Sequence, residues 1–170
     1  MDLGGALDLL ILVLPAMVAN GTPVALSRVT RRGIPIDMGR RMPDGRRILG
    51  DGKTVEGFIA GLAAAALTGI ILYTILGDPR LVEASLASGL GAMLGDMAGS
   101  FLKRRLGLER GAPAPLLDQL DFYLGALVML RLAGFSVEPL QAAIVGILVV
   151  VLHFTTNYIA YRLGLKNVPW

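Results

Sequence analysis

The 170-residue sequence contains no cysteine and a single histidine, His153. Without cysteine the chain can form no disulfide and no thiolate nucleophile, and one histidine excludes a multi-histidine metal site. Charged residues are scarce as well. They make up 17% of the chain, whereas about a quarter is usual in soluble domains. The chemistry that remains open is that of carboxylates, hydroxyl groups and the side chains of Lys and Arg.

Apolar residues dominate the sequence instead. They account for 54% of it, with a mean hydropathy of +0.65. They occur in blocks of about 20 residues, the length of helix that crosses roughly 30 Å of hydrocarbon. Because lipid cannot satisfy backbone polar groups, we predict an all-α integral membrane protein with about five spanning helices. The predicted spans are 7–26, 55–76, 81–102, 116–132 and 140–163.

The positions of the basic residues predict the orientation of these spans. All but two of the 16 Lys and Arg residues lie in the predicted loops 28–53 and 103–117 or in the C-terminal tail. Positively charged loops stay in the cytoplasm, so we expect an outside N-terminus and a cytoplasmic C-terminus. The sequence shows no internal repeat, and residues 1–170 are expected to form one membrane-embedded domain.

One acidic residue, Asp96, lies inside the third predicted span. Ser100, Lys103 and Arg104 follow it at helical spacing and share its face. A charge within a span costs about 2.5–3.5 kcal/mol on insertion scales, which favours a functional role for Asp96. The alternative for the cations is a stop-transfer cluster, but such a cluster does not need a carboxylate two turns inside the span.

Two further carboxylates, Asp118 and Asp121, share one face at the start of the fourth span. Helix capping accounts for one of them. If spans three and four form a hairpin, both lie near the same membrane surface as Asp96. Three carboxylates without His or Cys suit a hard cation such as Mg²⁺, and the nearby Lys103 and Arg104 suit phosphate. These groups together are typical of phosphoryl or nucleotidyl transfer.

The stretch GDMAGSFLKRRLGLERGAPAPLLDQLDF resembles the signature of the CTP-dependent phosphatidate cytidylyltransferase family. That signature has Ser-x-x-Lys-Arg, a spacer with Gly and Pro, and Asp-x-x-Asp at a helix start, with an acidic residue upstream. The spacer 110–115 differs from the bacterial form and the chain is short, which points to the small archaeal branch, the CDP-archaeol synthases. Segments 20–23, 35–37 and 44–57 extend the resemblance over most of the chain.

The resemblance implies a CTP-dependent enzyme of phospholipid biosynthesis. It would convert 2,3-bis-O-geranylgeranylglycerol 1-phosphate to CDP-archaeol and release pyrophosphate. The implied partners are CTP, the lipid phosphate and the bilayer, with no nucleic acid. The active site would face the cytoplasm at the cell membrane. The expected catalytic residues are Lys103 and the three Mg²⁺ ligands Asp96, Asp118 and Asp121. The expected substrate-binding residues are Asn20, Arg46, Lys53, Thr54, Ser100 and Arg104.

The first basic loop contains the sequence Gly50-Asp51-Gly52-Lys53-Thr54. It is not a Walker A motif, because Arg47 stands where that motif needs a glycine. The glycines permit a tight turn, and free amides at the start of the second span, with Lys53 and Thr54, would form an anion site. We therefore expect this loop to fold over the nucleotide. The alternative is that its Arg residues bind anionic lipid headgroups.

Two other functions stay open at this point. A small cation-coupled membrane transporter would use Asp96 as an intramembrane cation site, although such proteins often contain repeated broken helices. A structural membrane subunit with a basic lipid-binding face would make the three carboxylates dispensable.

Overall fold

The structure is a computed structural model that describes residues 5–29, 33–109, 111–164 and 168. Within these ranges the chain forms five helices: α1 (Ala6–Val29), α2 (Val55–Leu76), α3 (Arg80–Arg105), α4 (Leu117–Leu132) and α5 (Pro139–Arg162). The described residues contain no strand, only isolated bridges between Pro35 and Thr54 and between Arg41 and Arg47. The predicted all-α class is confirmed. Four basic residues of the orientation argument lie outside the described ranges: Arg31, Arg32, Arg110 and Lys166.

Three helices are long and apolar enough to cross a membrane by length and composition alone. They are α1, over residues 6–27, and the whole of α2 and α5. α3 has 26 residues but is less apolar, with Asp96 inside it and three basic residues in its last turn. α4 has 16 residues. At a rise of 1.5 Å per residue it is about 24 Å long, which is less than the hydrocarbon thickness.

Small residues bring α3 and α4 together along most of their length. A Cβ atom at Gly91 of α3 would meet the backbone of Gly125 on α4, and one at Gly95 would meet the backbone of Asp121. Only glycine allows helices to approach this closely. Small residues also allow α2 and α3 to pack closely, since Gly69 packs on Ser85 and Gly89 packs on Ala65.

The buried core lies where α1 and α5 pack against the α3–α4 pair. Its largest members include Leu81, Phe122, Leu130, Phe135 and Val149, each almost fully buried. The outward faces carry exposed apolar side chains such as Ile71 on α2 and Ile147 on α5. Apolar residues thus fill the interior of the bundle and also cover its outer surface, as expected for a helix bundle immersed in lipid.

Several helix ends differ from the predicted boundaries. α3 continues to Arg105, so Lys103, Arg104 and Arg105 form its last turn and not the start of a loop at 103. Cations are favourable there because they interact with the negative end of the helix dipole. α1 likewise continues through Pro15 and Pro23 to Val29.

Candidate active site

An ion pair joins the start of α2 to α3. Lys53 immediately precedes Thr54, the N-cap residue of α2, and its Nζ lies 2.5 Å from Oδ2 of Asp96. Their side chains are only 24% and 20% exposed, so the pair is largely shielded from solvent. A cavity of about 20 Å³, room for one water molecule, lies beside it, lined among others by Thr54, Phe58 and Met93. Asp96 is therefore already neutralised by a cation.

A second ion pair joins the end of α3 to the start of α4. Nζ of Lys103 lies 2.5 Å from Oδ1 of Asp118, and both side chains are about one-fifth exposed. Oδ2 of Asp118 accepts a hydrogen bond of 3.0 Å from the amide of Ala114. Asp118 therefore closes the turn that leads into α4 and also holds a lysine. It does not cap the helix, because the N-cap residue of α4 is Leu116 and no side chain caps this helix start.

The third carboxylate, Asp121, lies against the surface of α3. It is 9% exposed. A Cβ atom at Gly99 would collide with its carboxylate, so this glycine provides the space that the side chain occupies. Oδ1 of Asp121 accepts a hydrogen bond of 2.6 Å from the amide of Phe122. Within the described chain no Lys or Arg forms an ion pair with Asp121.

The carboxylates have the oxygen donors that Mg²⁺ prefers, but their arrangement does not fit an ion as it stands. Among the described residues, no group of three Asp, Glu, His or Cys side chains is close enough to hold a metal. Two of the three expected ligands, Asp96 and Asp118, instead accept hydrogen bonds from lysine ammonium groups. Carboxylate oxygens are the type of ligand that a hard cation such as Mg²⁺ prefers. In this structure, however, two of the three carboxylates are paired with lysines.

A buried carboxylate, Asp37, organises the first basic loop. Its oxygens accept two hydrogen bonds from Arg47, of 2.6 and 3.2 Å. They accept three more from the backbone amides of Gly39, Leu49 and Gly50. Burial by itself would raise the pKa of Asp37, but the guanidinium and the three amides outweigh it and hold the pKa well below its ordinary value. The loop is thus wound around one ionised side chain.

Arg105 fastens the loop to the end of α3. Its Nη1 lies 2.7 Å from both carboxylate oxygens of Asp44, and its Nη2 donates to the carbonyl oxygens of Arg46 and Arg47. In return, Nη1 of Arg46 donates to the carbonyl oxygen of Arg105 at 2.5 Å. These contacts hold the loop at the end of α3, and the Lys103–Asp118 pair holds the start of α4 at the same end of the bundle.

The remaining predicted binding residues have varied surroundings. Nε of Arg104 is buried and has no hydrogen-bond partner, and the Arg104 guanidinium lies near Gly50. Ser100 is buried on α3. Asn20 lies one helical turn before Pro23, which lines the cavity beside Lys53. Asn20 makes no side-chain hydrogen bond within the described residues.

The start of α2 offers fewer free amides than expected. Oγ1 of Thr54 accepts from the amide of Gly57 at 3.1 Å, and the amide of Val55 donates to Ile34. Glu56 accepts from the amide of Ile34 at 2.8 Å, and Lys53 pairs with Asp96 and not with Glu56. The predicted anion site at this helix end is therefore partly occupied by the protein's own groups.

Four residues that shape this end of the bundle were not predicted as functional from the sequence: Asp37, Asp44, Arg47 and Arg105. Asp37 and Asp44 lie within segments that carried the family resemblance, which is the signal that could have identified them. The clamp made by Arg105 had no local signal, because Asp44 is 61 residues away in sequence.

Fold and site together define an apolar helical membrane protein with two lysines, a buried carboxylate and an arginine-clamped loop at one end of the bundle. A family model described as CarS-like, CDP-archaeol synthase, matches residues 3–170. The chain belongs to this family.

Individual relatives agree with the family model. The CDP-archaeol synthase of Aeropyrum pernix is 54% identical over 164 residues, which cover 96% of this chain and 92% of the relative. That of Hyperthermus butylicus is 49% identical and covers 96% of both chains. A solved structure of an intramembrane enzyme for archaeal membrane lipids biosynthesis superposes with a TM-score of 0.84 at 52% identity, over 90% of this chain and 94% of that one.

Proposed function

We propose that the protein is a membrane-embedded cytidylyltransferase with the activity of its relatives. It transfers the cytidylyl group of CTP to 2,3-bis-O-geranylgeranylglycerol 1-phosphate, which gives CDP-archaeol and pyrophosphate for phospholipid biosynthesis. The observation that carries the proposal is the meeting of Lys53, Asp96, Lys103, Asp118 and Asp121 at one end of the bundle. Family membership over nearly the whole chain supports it.

The reaction needs no nucleophilic side chain and no general base. An oxygen of the lipid phosphate, already ionised at neutral pH, attacks the α-phosphorus of CTP. A new P–O bond forms, the bond from the α-phosphorus to the bridging oxygen breaks, and pyrophosphate leaves with that oxygen. Catalysis then consists of positioning two anions and neutralising their charge. This agrees with a chain that has no cysteine and one histidine.

Cationic side chains perform the neutralisation in this proposal. Lys53, Lys103 and Arg104 bind phosphate oxygens, and Ser100 orients one of them. Arg104 is suited to this because its guanidinium has an unpaired buried Nε and lies beside the Gly50 turn. Thr54 and Asn20 flank the nucleotide, and Arg46 acts through the loop that it holds to α3.

Mg²⁺ is the proposed cofactor, with Asp96, Asp118 and Asp121 as its ligands. When bound, the ion would neutralise phosphate charge beside the lysines. Because the present arrangement of the carboxylates does not fit the ion, every step assigned above rests on the protein's own side chains.

A groove between α4 and α5 is suited to hold a hydrocarbon chain of the lipid. Its volume is about 500 Å³, and apolar side chains line it, among them Leu120, Leu127, Ala143 and Val150. One end of the groove is Leu116, two residues from Asp118. A lipid chain in this groove would therefore place its phosphate at the charged end of the bundle.

The topology completes the proposal. Five crossings, with the N-terminus outside, would put both loops and the C-terminus in the cytoplasm of the cell, where CTP is made. All five helices form one membrane-embedded domain. Asp118, in the first turn of α4, would then lie at the cytoplasmic surface of the membrane.

The experiment is a transfer assay on purified protein in detergent with CTP, Mg²⁺ and the ether-lipid phosphate. We expect a CDP-lipid and pyrophosphate in equal amounts. Asp118→Asn should lower the rate about a hundredfold, since it removes the carboxylate that positions Lys103 and that would bind Mg²⁺. Asp78→Asn, at the opposite end of the bundle, is the matched control and should leave it unchanged. Absence of CDP-lipid from the wild-type protein would overturn the proposal.

A further inference from the structure

The residue that begins α4 has a backbone conformation that is unusual for leucine. Leu116, the N-cap residue of this helix, has φ 65° and ψ −40°. Among the described residues other than glycine, only Met38 also has a positive φ, at 47°. A side chain at positive φ crowds its own backbone, so glycine is the residue normally found at such positions. Leucine at this position therefore costs free energy that some other contribution must offset.

The fold gives no reason for a leucine at the start of α4. No side chain caps this helix, and a leucine has no group that could do so. The Leu116 side chain is 59% exposed, so it adds little to the core. The carbonyl oxygen of Leu116 accepts a helical hydrogen bond of 2.9 Å from the amide of Leu120, but a glycine would offer the same carbonyl. Neither the helix start nor the packing of the bundle requires this side chain.

The Leu116 side chain instead lines one end of the apolar groove between α4 and α5. Among the described residues that line this groove, only Tyr123 has a polar side chain, and its hydroxyl group already donates to the carbonyl oxygen of Ala142 at 2.7 Å. The lining therefore fits a hydrocarbon chain. It offers no partner to an ionised phosphate, which would have to stay outside the groove.

Leu116 also marks the boundary between the groove and the charged end of the bundle. Asp118, two residues further along, lies against α3, where its Oδ1 is 2.5 Å from Nζ of Lys103. The strained turn thus directs an apolar side chain to the groove immediately before the chain supplies the charged pair. A molecule that contacts both must have a hydrocarbon part and an anionic part only a few bonds apart.

We propose that Leu116 positions the lipid substrate: it contacts the hydrocarbon chain where the chain leaves the groove, and so sets the place of the lipid phosphate beside Lys103. The inference rests on the function proposed above. The strain at Leu116 is then retained because it holds an apolar side chain at the one point where the lipid changes from hydrocarbon to phosphate.

The first test removes the side chain and keeps the turn. Glycine suits a positive φ, so the Tm of Leu116→Gly should equal or exceed that of the wild-type protein. Its KM for the lipid phosphate should nevertheless rise roughly tenfold, the equivalent of one lost apolar side-chain contact, while the KM for CTP stays unchanged. Leu116→Met keeps an apolar side chain of similar size, and its KM for the lipid phosphate should stay within about twofold of the wild-type value.

Met38→Gly is the matched control for this test. Met38 also has a positive φ and an exposed side chain, but it does not line the groove. Its replacement should leave the KM for the lipid phosphate unchanged. A wild-type KM for the lipid phosphate in Leu116→Gly would overturn the inference. A lower Tm with equal losses for both substrates would also overturn it, because Leu116 would then only hold α4 in place.

The second test makes use of the absence of cysteine from the chain and needs no turnover. Leu116→Cys introduces a single thiol, and its alkylation by N-ethylmaleimide is followed in detergent. The lipid phosphate should slow this alkylation several-fold, whereas CTP alone should not. Leu132→Cys is the control, because Leu132 lies at the other end of α4, is 74% exposed and does not line the groove. Its alkylation rate should be the same with and without the lipid.

Alkylation of Leu116→Cys at the same rate with and without the lipid phosphate would overturn the inference. A protein that forms CDP-lipid but shows neither the change in KM nor the protection would contradict the inference and leave the proposed function intact. A protein that forms no CDP-lipid would count against the proposed function, whereas protection of the thiol by the lipid phosphate would still support the placement of the lipid at Leu116.

Discussion

The carboxylate of Asp121 on α4 occupies the space that a side chain at Gly99 of α3 would fill. The contact places a buried acid against the same helix that carries Asp96, Ser100 and Lys103. Glycine is therefore required at this position by the acid and not by the helix backbone, which alanine would favour by about 0.5–1 kcal/mol.

Gly99→Ala should reduce cytidylyl transfer at least tenfold while the Tm changes by no more than a few degrees. The added methyl group displaces the carboxylate, whereas the gain in helix propensity offsets part of the lost packing. The measurements are kcat and thermal unfolding on the same preparation. Gly21→Ala is the control, since a Cβ atom there meets nothing within 4 Å. A Gly99→Ala protein with wild-type kcat would show that the position of Asp121 is not important.

Asp37→Asn should destabilise the protein by about 2–3 kcal/mol at neutral pH, because it removes a charged hydrogen-bond acceptor from a buried site. The matched control is Asp51→Asn. Both aspartates pair with Arg47, but the side chain of Asp37 is 1% exposed and that of Asp51 is 61% exposed. We expect the Asp51 variant to differ from the wild-type protein by less than about 1 kcal/mol.

The effect of Asp37 should also depend on pH. Its pKa is lowered in the folded protein, so its contribution is complete above the unfolded-state pKa of about 4 and is lost as the pH falls through the lower folded-state value. The difference in Tm between the wild-type protein and Asp37→Asn should be constant near neutral pH and shrink below about pH 4. A difference that grows on acidification would contradict the assignment.

Arg105→Lys should loosen the basic loop without unfolding the bundle. Lysine keeps the charge but cannot reach Asp44 and two carbonyl oxygens at once. Trypsin should then cleave the loop at 40–47 several-fold faster than in the wild-type protein, and the KM for CTP should rise. Arg80→Lys is the control, because Arg80 lies over the ring of Phe135, away from the site. Unchanged cleavage would show that the clamp does not hold the loop.

Ala143→Leu should raise the KM for the lipid phosphate several-fold and leave the KM for CTP unchanged. The larger side chain fills part of the apolar groove between α4 and α5. Ala63→Leu adds the same bulk to an exposed position of α2 outside the groove and should alter neither constant. If Ala143→Leu and Ala63→Leu changed the KM for the lipid phosphate equally, or if Ala143→Leu changed the KM for CTP, the groove would not be the lipid-binding site.

The sequence predicted the helices well because the apolar blocks that form them are local features. The start and end of α2 at residues 55 and 76 were predicted to the residue. The end of α3 was predicted three residues too early, because the charges of Lys103 and its neighbours suggested a loop. In the structure these cations lie in the last helical turn, where the helix dipole stabilises them. The number of membrane crossings and their orientation stay predictions.

The site was harder to predict because its contacts join distant parts of the chain. The spacing of Asp118 and Asp121 predicted one shared face, but only the structure brings Lys53 onto Asp96 from 43 residues away. Sequence reasoning assigned Lys53 to phosphate and Asp96 to a metal. It had no means of showing that, without either ligand, the two side chains neutralise each other.

The most direct test of the account follows the fate of the α-phosphorus. The purified protein receives the lipid phosphate and CTP that is radiolabelled at either the α- or the γ-phosphorus, and lipid and water-soluble products are separated. We predict that the α-label appears in the lipid product and the γ-label only in pyrophosphate. Transfer of the γ-label to lipid would instead reveal a kinase, and label in neither lipid fraction would contradict the cytidylyltransferase assignment itself.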